Sequence, residues 1–290
     1  MPEQTARLEA SLAGSGIVVK SSQPVAGGDI AAAFRLETDA GPVFLKTMSA
    51  ADGDILDAER DGLAALATAA AVRTPGVLAN GTAGGSAWLA LEWLDLRALS
   101  VVAERELGRS LAALHRNTSD LHGWHRDNYV GRTRQPNTRQ ADWPAFFRDC
   151  RLGFQLRLAA SSGLGGRLVE RGQTLLANLP AFFTNYAPAP SLLHGDLWAG
   201  NAAAIGELPV IFDPAVYYGD RETDLAMTRL FGGYGQAFYE AYDREYPIDP
   251  GYARREPLYQ LYHVLNHLNL FGPAYSGRAQ SLIDGLLGEL

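Results

Sequence analysis

The sequence predicts an α+β fold in two lobes, a small sheet-rich lobe over residues 1–94 and a larger, mainly helical lobe over residues 95–290. Three observations lead there. Short runs of strand composition, separated by Gly-containing turns, fill most of the first 92 residues. From Ala103 onward the apolar residues recur mostly with helical spacing. No internal repeat or long low-complexity linker interrupts the chain, and its 290 residues suffice for a buried core.

Residues 4–13 read as a short helix. Residues 17–20, 31–38 and 43–47 read as strands, with the Gly27-Gly28 turn as a hairpin tip between the first two. Residues 54–71 have helical periodicity that places Ile55, Leu56, Leu63 and Leu66 on one face. Residues 77–79 and 87–92 are two further strands. The helical lobe should hold helices within 146–160 and 167–183, and others at 224–230, 234–242, 257–270 and 279–287, with 122–137 a loop. The lobes meet near Glu92-Trp93-Leu94-Asp95-Leu96, where a ligand cleft is expected.

Composition narrows the function. A net charge of −7 disfavours a partner held through its phosphate backbone, such as nucleic acid. Cys150 is the only cysteine, which excludes an internal disulfide and a thiolate metal cluster. No apolar run nears the roughly 20 residues that span a bilayer. The start, Met1-Pro2-Glu3-Gln4-Thr5, lacks the basic and apolar regions of a signal peptide, so a cytoplasmic protein without a membrane partner is expected.

The chemistry lies in Leu193-His194-Gly195-Asp196-Leu197-Trp198-Ala199-Gly200-Asn201 and in Ile211-Phe212-Asp213. In such a trio Asp196 accepts a hydroxyl proton, while Asn201 and Asp213 hold the Mg²⁺ that bridges ATP phosphates; protein kinases space these three side chains similarly. A turn rich in Asp, Gly and Asn is the bland alternative. It is disfavoured because the other parts of a phosphoryl-transfer site occur in the right order. Lys46, within Val43-Phe44-Leu45-Lys46, is placed to contact the α- and β-phosphates, and Glu59 on the next helix is the carboxylate to fix its stem. Gly27 and Gly28 either let backbone N–H groups approach phosphate oxygens or serve only as a hairpin turn. The backbone of Glu92, Trp93 and Leu94 is placed to offer a carbonyl and an amide to an adenine edge. No Gly-x-x-x-x-Gly-Lys-Ser/Thr occurs, so the P-loop fold is removed.

Downstream, Asp220, Glu222 and Asp224 fall within five residues. A helix start accounts for one of them, Asp220 or Glu222. Asp224, just before an apolar run, is placed to brace the catalytic loop by accepting its backbone donors. This interval has neither a long peptide-docking segment nor an Ala-Pro-Glu motif, so the acceptor should be small, or a modified side chain presented like a small molecule.

With these residues in view, the chain resembles the fructosamine/ketosamine kinase family, in the aminoglycoside- and choline-kinase-like branch of the protein-kinase fold. The resemblance covers nearly the whole chain. It rests on Glu59-x-x-Gly62-Leu63, His122-Gly123-Trp124-His125-Arg126-Asp127-Asn128-Tyr129-Val130-Gly131, Asp142-Trp143-x-x-Phe146-Phe147 and His194-Gly195-Asp196-Leu197-Trp198-x-Gly200-Asn201. It continues in Asp213-Pro214-Ala215, Tyr218-Gly219-Asp220-Arg221-Glu222-x-Asp224-Leu225 and Tyr262-His263-x-x-Asn266-His267-x-Asn269. It implies ATP-dependent phosphorylation of the sugar 3-hydroxyl of ketosamines, either small molecules or glycated protein lysines, after which the unstable adduct releases its amine. It also implies Asp196 as base, Asn201 and Asp213 as Mg²⁺ ligands, and Lys46 on the phosphates with Glu59 behind it. The alternative is an aminoglycoside or other small-molecule phosphotransferase of the same fold; a non-catalytic nucleotide-binding protein is disfavoured because the acidic and basic set is intact. Many relatives carry a Cys just after the paired glycines; here that position is Asp29, so cysteine-based redox control of this loop is not expected.

The acceptor-side candidates are Trp198, His267, Asp220, Trp124 and Asn128. Trp198 either walls the sugar or packs under the loop. His263 and His267 lie four apart on one helical stripe, but no third ligand accompanies them, so zinc is not expected; His267 is instead placed for hydrogen bonding in the sugar cleft. Trp124, Asp127 and Asn128 either line the acceptor pocket or form a self-bonded turn. His115 is expected to hold its helix end against the catalytic region.

Overall fold

The computed structural model describes residues 2–25, 30–164 and 166–290. Gly27, Gly28 and Asp29 therefore lie outside the described residues. A first helix, α1 (Pro2–Gly14), precedes strands β1 (Val19–Pro24), β2 (Ala32–Thr38) and β3 (Gly41–Ser49). Helix α2 (Gly53–Ala69) follows, then β4 (Val77–Ala83) and β5 (Ser86–Glu92), and the five strands form one antiparallel sheet in the order β1-β2-β3-β5-β4.

Alternation along β3 decides what each face of this sheet does. Val43 and Leu45 pack with Leu12, Ile17, Leu36 and Trp88 on the α1 side. Phe44 and Met48 pack with Leu56 and Leu63 of α2 on the other side. Lys46 shares the parity of Phe44 and Met48, so the strand period turns it toward α2. On that helix Glu59 lies between Leu56 and Leu63, on the stripe that faces the sheet.

The remainder is mainly helical: α3 (Val101–His115), α4 (Trp143–Phe147), α5 (Gly153–Ser161), α6 (Arg167–Asn178), α7 (Glu222–Leu230), α8 (Gln236–Glu245), α9 (Tyr252–Phe271) and α10 (Ser276–Gly288). Where one helix was expected within 146–160, α4 and α5 are separated by a π-helical stretch over Arg148–Leu152. Three short antiparallel pairs complete this region: β6 (Asn128–Val130) with β7 (Thr133–Gln135), β8 (Ser191–Leu193) with β11 (Tyr217–Gly219), and β9 (Ala202–Ile205) with β10 (Leu208–Ile211). The segment 122–137, read from sequence as a loop, is thus partly a hairpin. Side chains hold it: Asn128 Oδ1 accepts from Gln135 at 2.8 Å and from Asn137 at 2.7 Å, and Tyr262 of α9 donates to Gln135. The largest core joins α4, α5, α9 and α10 around Trp143, Phe146, Phe147 and Tyr259.

Candidate active site

The segment after β8 is held by a single buried carboxylate. Asp224 on α7 accepts the backbone N–H of His194 at 2.8 Å and of Gly195 at 2.9 Å, as its place before the apolar run predicts. His115 at the end of α3 reaches the same carboxylate through Nε2 at 3.1 Å, its Nδ1 meeting Tyr242 Oη at 2.8 Å. Burial pushes the Asp224 carboxyl up, but His115, His194 and the Gly195 amide outweigh it and hold it below the usual range. Gly195 has φ +82°, and a Cβ there would sit 2.1 Å from the Ala215 carbonyl, so only glycine lets β8 turn into the loop.

His194 ties the two chemical segments together. Its Nδ1 accepts the Asp196 N–H at 3.3 Å, which assigns the hydrogen to Nε2, and Nε2 lies 3.0 Å from the Phe212 carbonyl. Phe212 N–H in turn donates to the Asn201 carbonyl at 3.1 Å. Asn201 Nδ2 donates to the Asp196 carbonyl at 2.9 Å and lies 3.4 Å from its Oδ2. This use of the amide nitrogen leaves Asn201 Oδ1 as the acceptor end.

Asp213 has φ +57°, left-handed backbone that few non-glycine residues adopt, and its side chain stays 43% exposed. It forms an ion pair with Lys46 Nζ, and Lys46 Nζ donates to Glu59 Oε1 at 2.7 Å. Lys46, Glu59, Asp213, Asn201 and Asp196 thus form one connected constellation from both halves of the chain.

One ammonium faces two carboxylates here, and the charges respond accordingly. Burial opposes the Lys46 charge, but Asp213 and Glu59 overcome it and hold its pKa above the ordinary value. Burial raises Glu59 to about 7, with Lys46 lowering it and Asp213 raising it further, because a single cation is shared. Asp196 is likewise pushed up to about 7 by burial and by the charges of Asp213 and Asp224, with Asn201 opposing.

Two residues beyond Asp196, Trp198 is open rather than packed away. Trp198 is 38% exposed, and its ring meets Phe231 edge-on at 6.4 Å. The Trp198 ring lies across Gly200, where a Cβ would stand 2.3 Å from it, which explains the glycine before Asn201. Phe231 meets His267 at a tilt of 42° with ring centres 4.7 Å apart, and His267 Nδ1 lies 2.9 Å from the His263 carbonyl. Trp198, Phe231 and His267 therefore form one aromatic string.

Two acceptor-side expectations are corrected. Asp220 is fully buried: its Oδ1 accepts from Tyr186 at 2.9 Å and Glu222 N at 3.0 Å, and its Oδ2 from Tyr259, so it offers no open oxygen to an acceptor. Asn128 is also buried, and its Nδ2 donates to the Val216 carbonyl at 2.7 Å, so its amide is consumed at both ends in holding the hairpin. Trp124 packs at 5.5 Å on Tyr218 and lines a depression of about 500 Å³ with His125, Arg126, Asp127, Asn137, Thr138 and Arg139; none of the residues around Asp196 lines it.

At the lobe junction the Glu92 N–H donates to the Gly76 carbonyl at 2.8 Å and its carboxylate takes Arg73 and the Gly76 N–H. The Trp93 ring lies 6.2 Å from Phe44 and beneath Arg35, and the Leu94 carbonyl accepts from Leu96.

Two features escaped the sequence reading. Arg151 is a fully buried cation whose guanidinium lies 3.9 Å over Tyr217 and donates to Asn137 and the Pro136 carbonyl. Arg126 binds Asp54 and Asp61, joining the hairpin region to α2. Neither has a local signal, because both depend on partners many residues away.

Comparison with known proteins shows the family. The fructosamine kinase family model matches residues 1–289. The chain is 40% identical over 272 residues to a Synechocystis protein assigned as a ketoamine kinase, covering 93% of this chain and 91% of that one. It is 41% identical over 271 residues to the chloroplastic protein-ribulosamine 3-kinase of Arabidopsis thaliana, covering 92% and 82% of the two. A Haemophilus somnus crystal structure assigned as a fructosamine-3-kinase superposes with a TM-score of 0.91 at 28% identity, covering 99% of this chain and 98% of the other. The chain belongs to the fructosamine kinase family.

Proposed function

We propose that this protein is an ATP-dependent kinase that phosphorylates the 3-hydroxyl of ketosamines and thereby starts their deglycation. The observation that carries the reading is the meeting of Lys46, Glu59 and Asp213 beside the Asp196–Asn201 loop. The acceptor is a sugar–amine adduct, free or borne on a protein lysine. The aromatic string of Trp198, Phe231 and His267 beside the loop suits the face of a sugar.

The donor set fits Mg²⁺ and nucleotide phosphates. Asn201 Oδ1 and the half-exposed Asp213 carboxylate are hard oxygen donors, and Mg²⁺ is commonly held by one or two such groups with phosphate and water completing its shell. When bound, the ion neutralises charge on the transferring phosphoryl group. Lys46 would then turn from Asp213 to the phosphates, with Glu59 holding its stem. Asp196 orients the acceptor hydroxyl and receives its proton as the O–P bond forms. It need not be a strong base, since alignment and charge stabilisation supply most of the rate in a loose transition state. The 3-phosphate is a better leaving group than the hydroxyl: the adduct enolises and expels inorganic phosphate from carbon 3, and water then releases the amine from the resulting imine.

An ATP-consumption assay tests the reading, using fructosyl-, ribulosyl- and erythrulosyl-lysine beside a panel of aminoglycosides. Mg²⁺-dependent turnover with a ketosamine supports it; turnover of aminoglycosides alone contradicts it.

A further inference from the structure

Helix α9 carries a stripe of His263, His267 and Phe271, at i, i+4 and i+8, that passes from fully buried to 55% exposed. His263 stands at the buried end. Neither of its ring nitrogens has a hydrogen-bond partner among the described residues, although its side chain is only 1% exposed. The buried rings of His115 and His194 differ, for each bonds through both nitrogens. Asp196 Oδ1 lies 3.9 Å from His263 Nδ1, just beyond hydrogen-bond reach.

An interior polar group without a partner costs free energy that an apolar ring of similar size would not. The ring is also neutral: burial pushes its pKa down to about 3, with His267 and Arg151 acting in the same direction and Asp224 against it. A neutral imidazole keeps one N–H to donate. Beside a carboxylate that must stay basic, it supplies a donor without a charge.

We propose that His263 is a positioning residue for phosphoryl transfer, its Nδ1–H donating to Asp196 Oδ1 in the acceptor complex and fixing the carboxylate toward the hydroxyl; this rests on the reading of Asp196 given above. A movement of about 1 Å closes the gap, in keeping with catalytic hydrogen bonds that are long in free enzymes and tighten in complexes. The carbonyl of His263 accepts from His267, and Tyr262 stands edge-on to its ring at 5.0 Å, so the turn carrying it is held in place.

Two variants test this. His263→Phe keeps a flat ring, slightly larger than imidazole, and removes both nitrogens, whereas His263→Asn keeps an N–H near the place of Nδ1. The Phe variant is expected to melt no lower than wild type, since no internal hydrogen bond is lost. Its kcat with ribulosyl-lysine should fall about 10- to 100-fold, the loss of one hydrogen bond to a charged group, with KM for ATP within about twofold. The Asn variant should recover part of kcat. A merely structural histidine would give the reverse, a lower melting temperature with kcat little changed. The proposal is overturned by a Phe variant that melts well below wild type, by one whose kcat stays within about twofold of it, or by an Asn variant no better than Phe. Wild-type protein that phosphorylates no ketosamine would remove the reading beneath it, and the proposal with it; the melting comparison needs no turnover, so the two failures are distinguishable.

Discussion

At Asp196, function and stability pull in opposite directions. Burial and the charges of Asp213 and Asp224 raise its carboxyl to about 7. From about pH 4 to about pH 7 the folded protein holds a proton that the unfolded chain has released, so this group's contribution to stability falls as pH rises through that window. Asp196→Asn removes the penalty together with the proposed proton acceptor. It is expected to melt above wild type at pH 8, with the gap closing by pH 5, while turnover drops by about 10²- to 10⁴-fold. Melting curves at the two pH values and an initial-rate assay check both halves. Asp224 behaves oppositely, since its carboxylate serves two backbone donors and His115. Asp224→Ala leaves those donors buried and unpaired, with a loss on the order of 3 kcal/mol or more measurable by denaturant titration.

Between elements, the position of α2 decides whether Lys46 is held. Glu59 reaches Lys46 from the face of α2 that packs on the sheet, while Asp54 and Asp61 of the same helix bind Arg126 and Tyr129 donates to Asp54 at 2.8 Å. Arg126→Gln should destabilise only slightly, by about 1 kcal/mol, because these pairs are partly exposed. Its effect on KM for ATP should be larger than its effect on melting, since α2 carries Glu59; steady-state kinetics beside a melting curve checks this. The facing of Lys46 and Glu59 was legible in the sequence, because Lys46 falls in an alternating strand and Glu59 on the helix that follows it. The alternation of Val43-Phe44-Leu45-Lys46 and the helical spacing of Leu56 and Leu63 are local patterns. The β6–β7 hairpin left no such trace, because its three-residue strands are held by Asn128, Gln135, Asn137 and Tyr262 rather than by alternation. Arg151 was equally invisible, for its cage comes from Tyr217 and the Pro136–Asn137 segment, distant or irregular in sequence. Asp220 and Asn128 misled because a polar motif reads alike whether its groups face a ligand or each other.

Across the whole molecule, the sheet-borne cation Lys46 and the loop-borne oxygen donors Asp213 and Asn201 meet only when both halves are in register. Among the described residues no helix is long and apolar enough to cross a membrane. A ligand that binds both halves of the folded chain stabilises it by mass action, by about 2.7 kcal/mol at one hundred times its dissociation constant. MgATP should therefore raise the melting temperature, and chelation with EDTA should remove most of that gain. Lys46→Met should abolish it as well, since the phosphates lose their cation. The most direct test of the central claim is the position of the transferred phosphate. Fructosyl-lysine treated with the protein, ATP and Mg²⁺ should yield ADP and an adduct whose phosphorus NMR signal couples to the hydrogen on sugar carbon 3. A phosphate on another hydroxyl, or ADP released with neither a phosphorylated sugar nor the free lysine left by its breakdown, would contradict it.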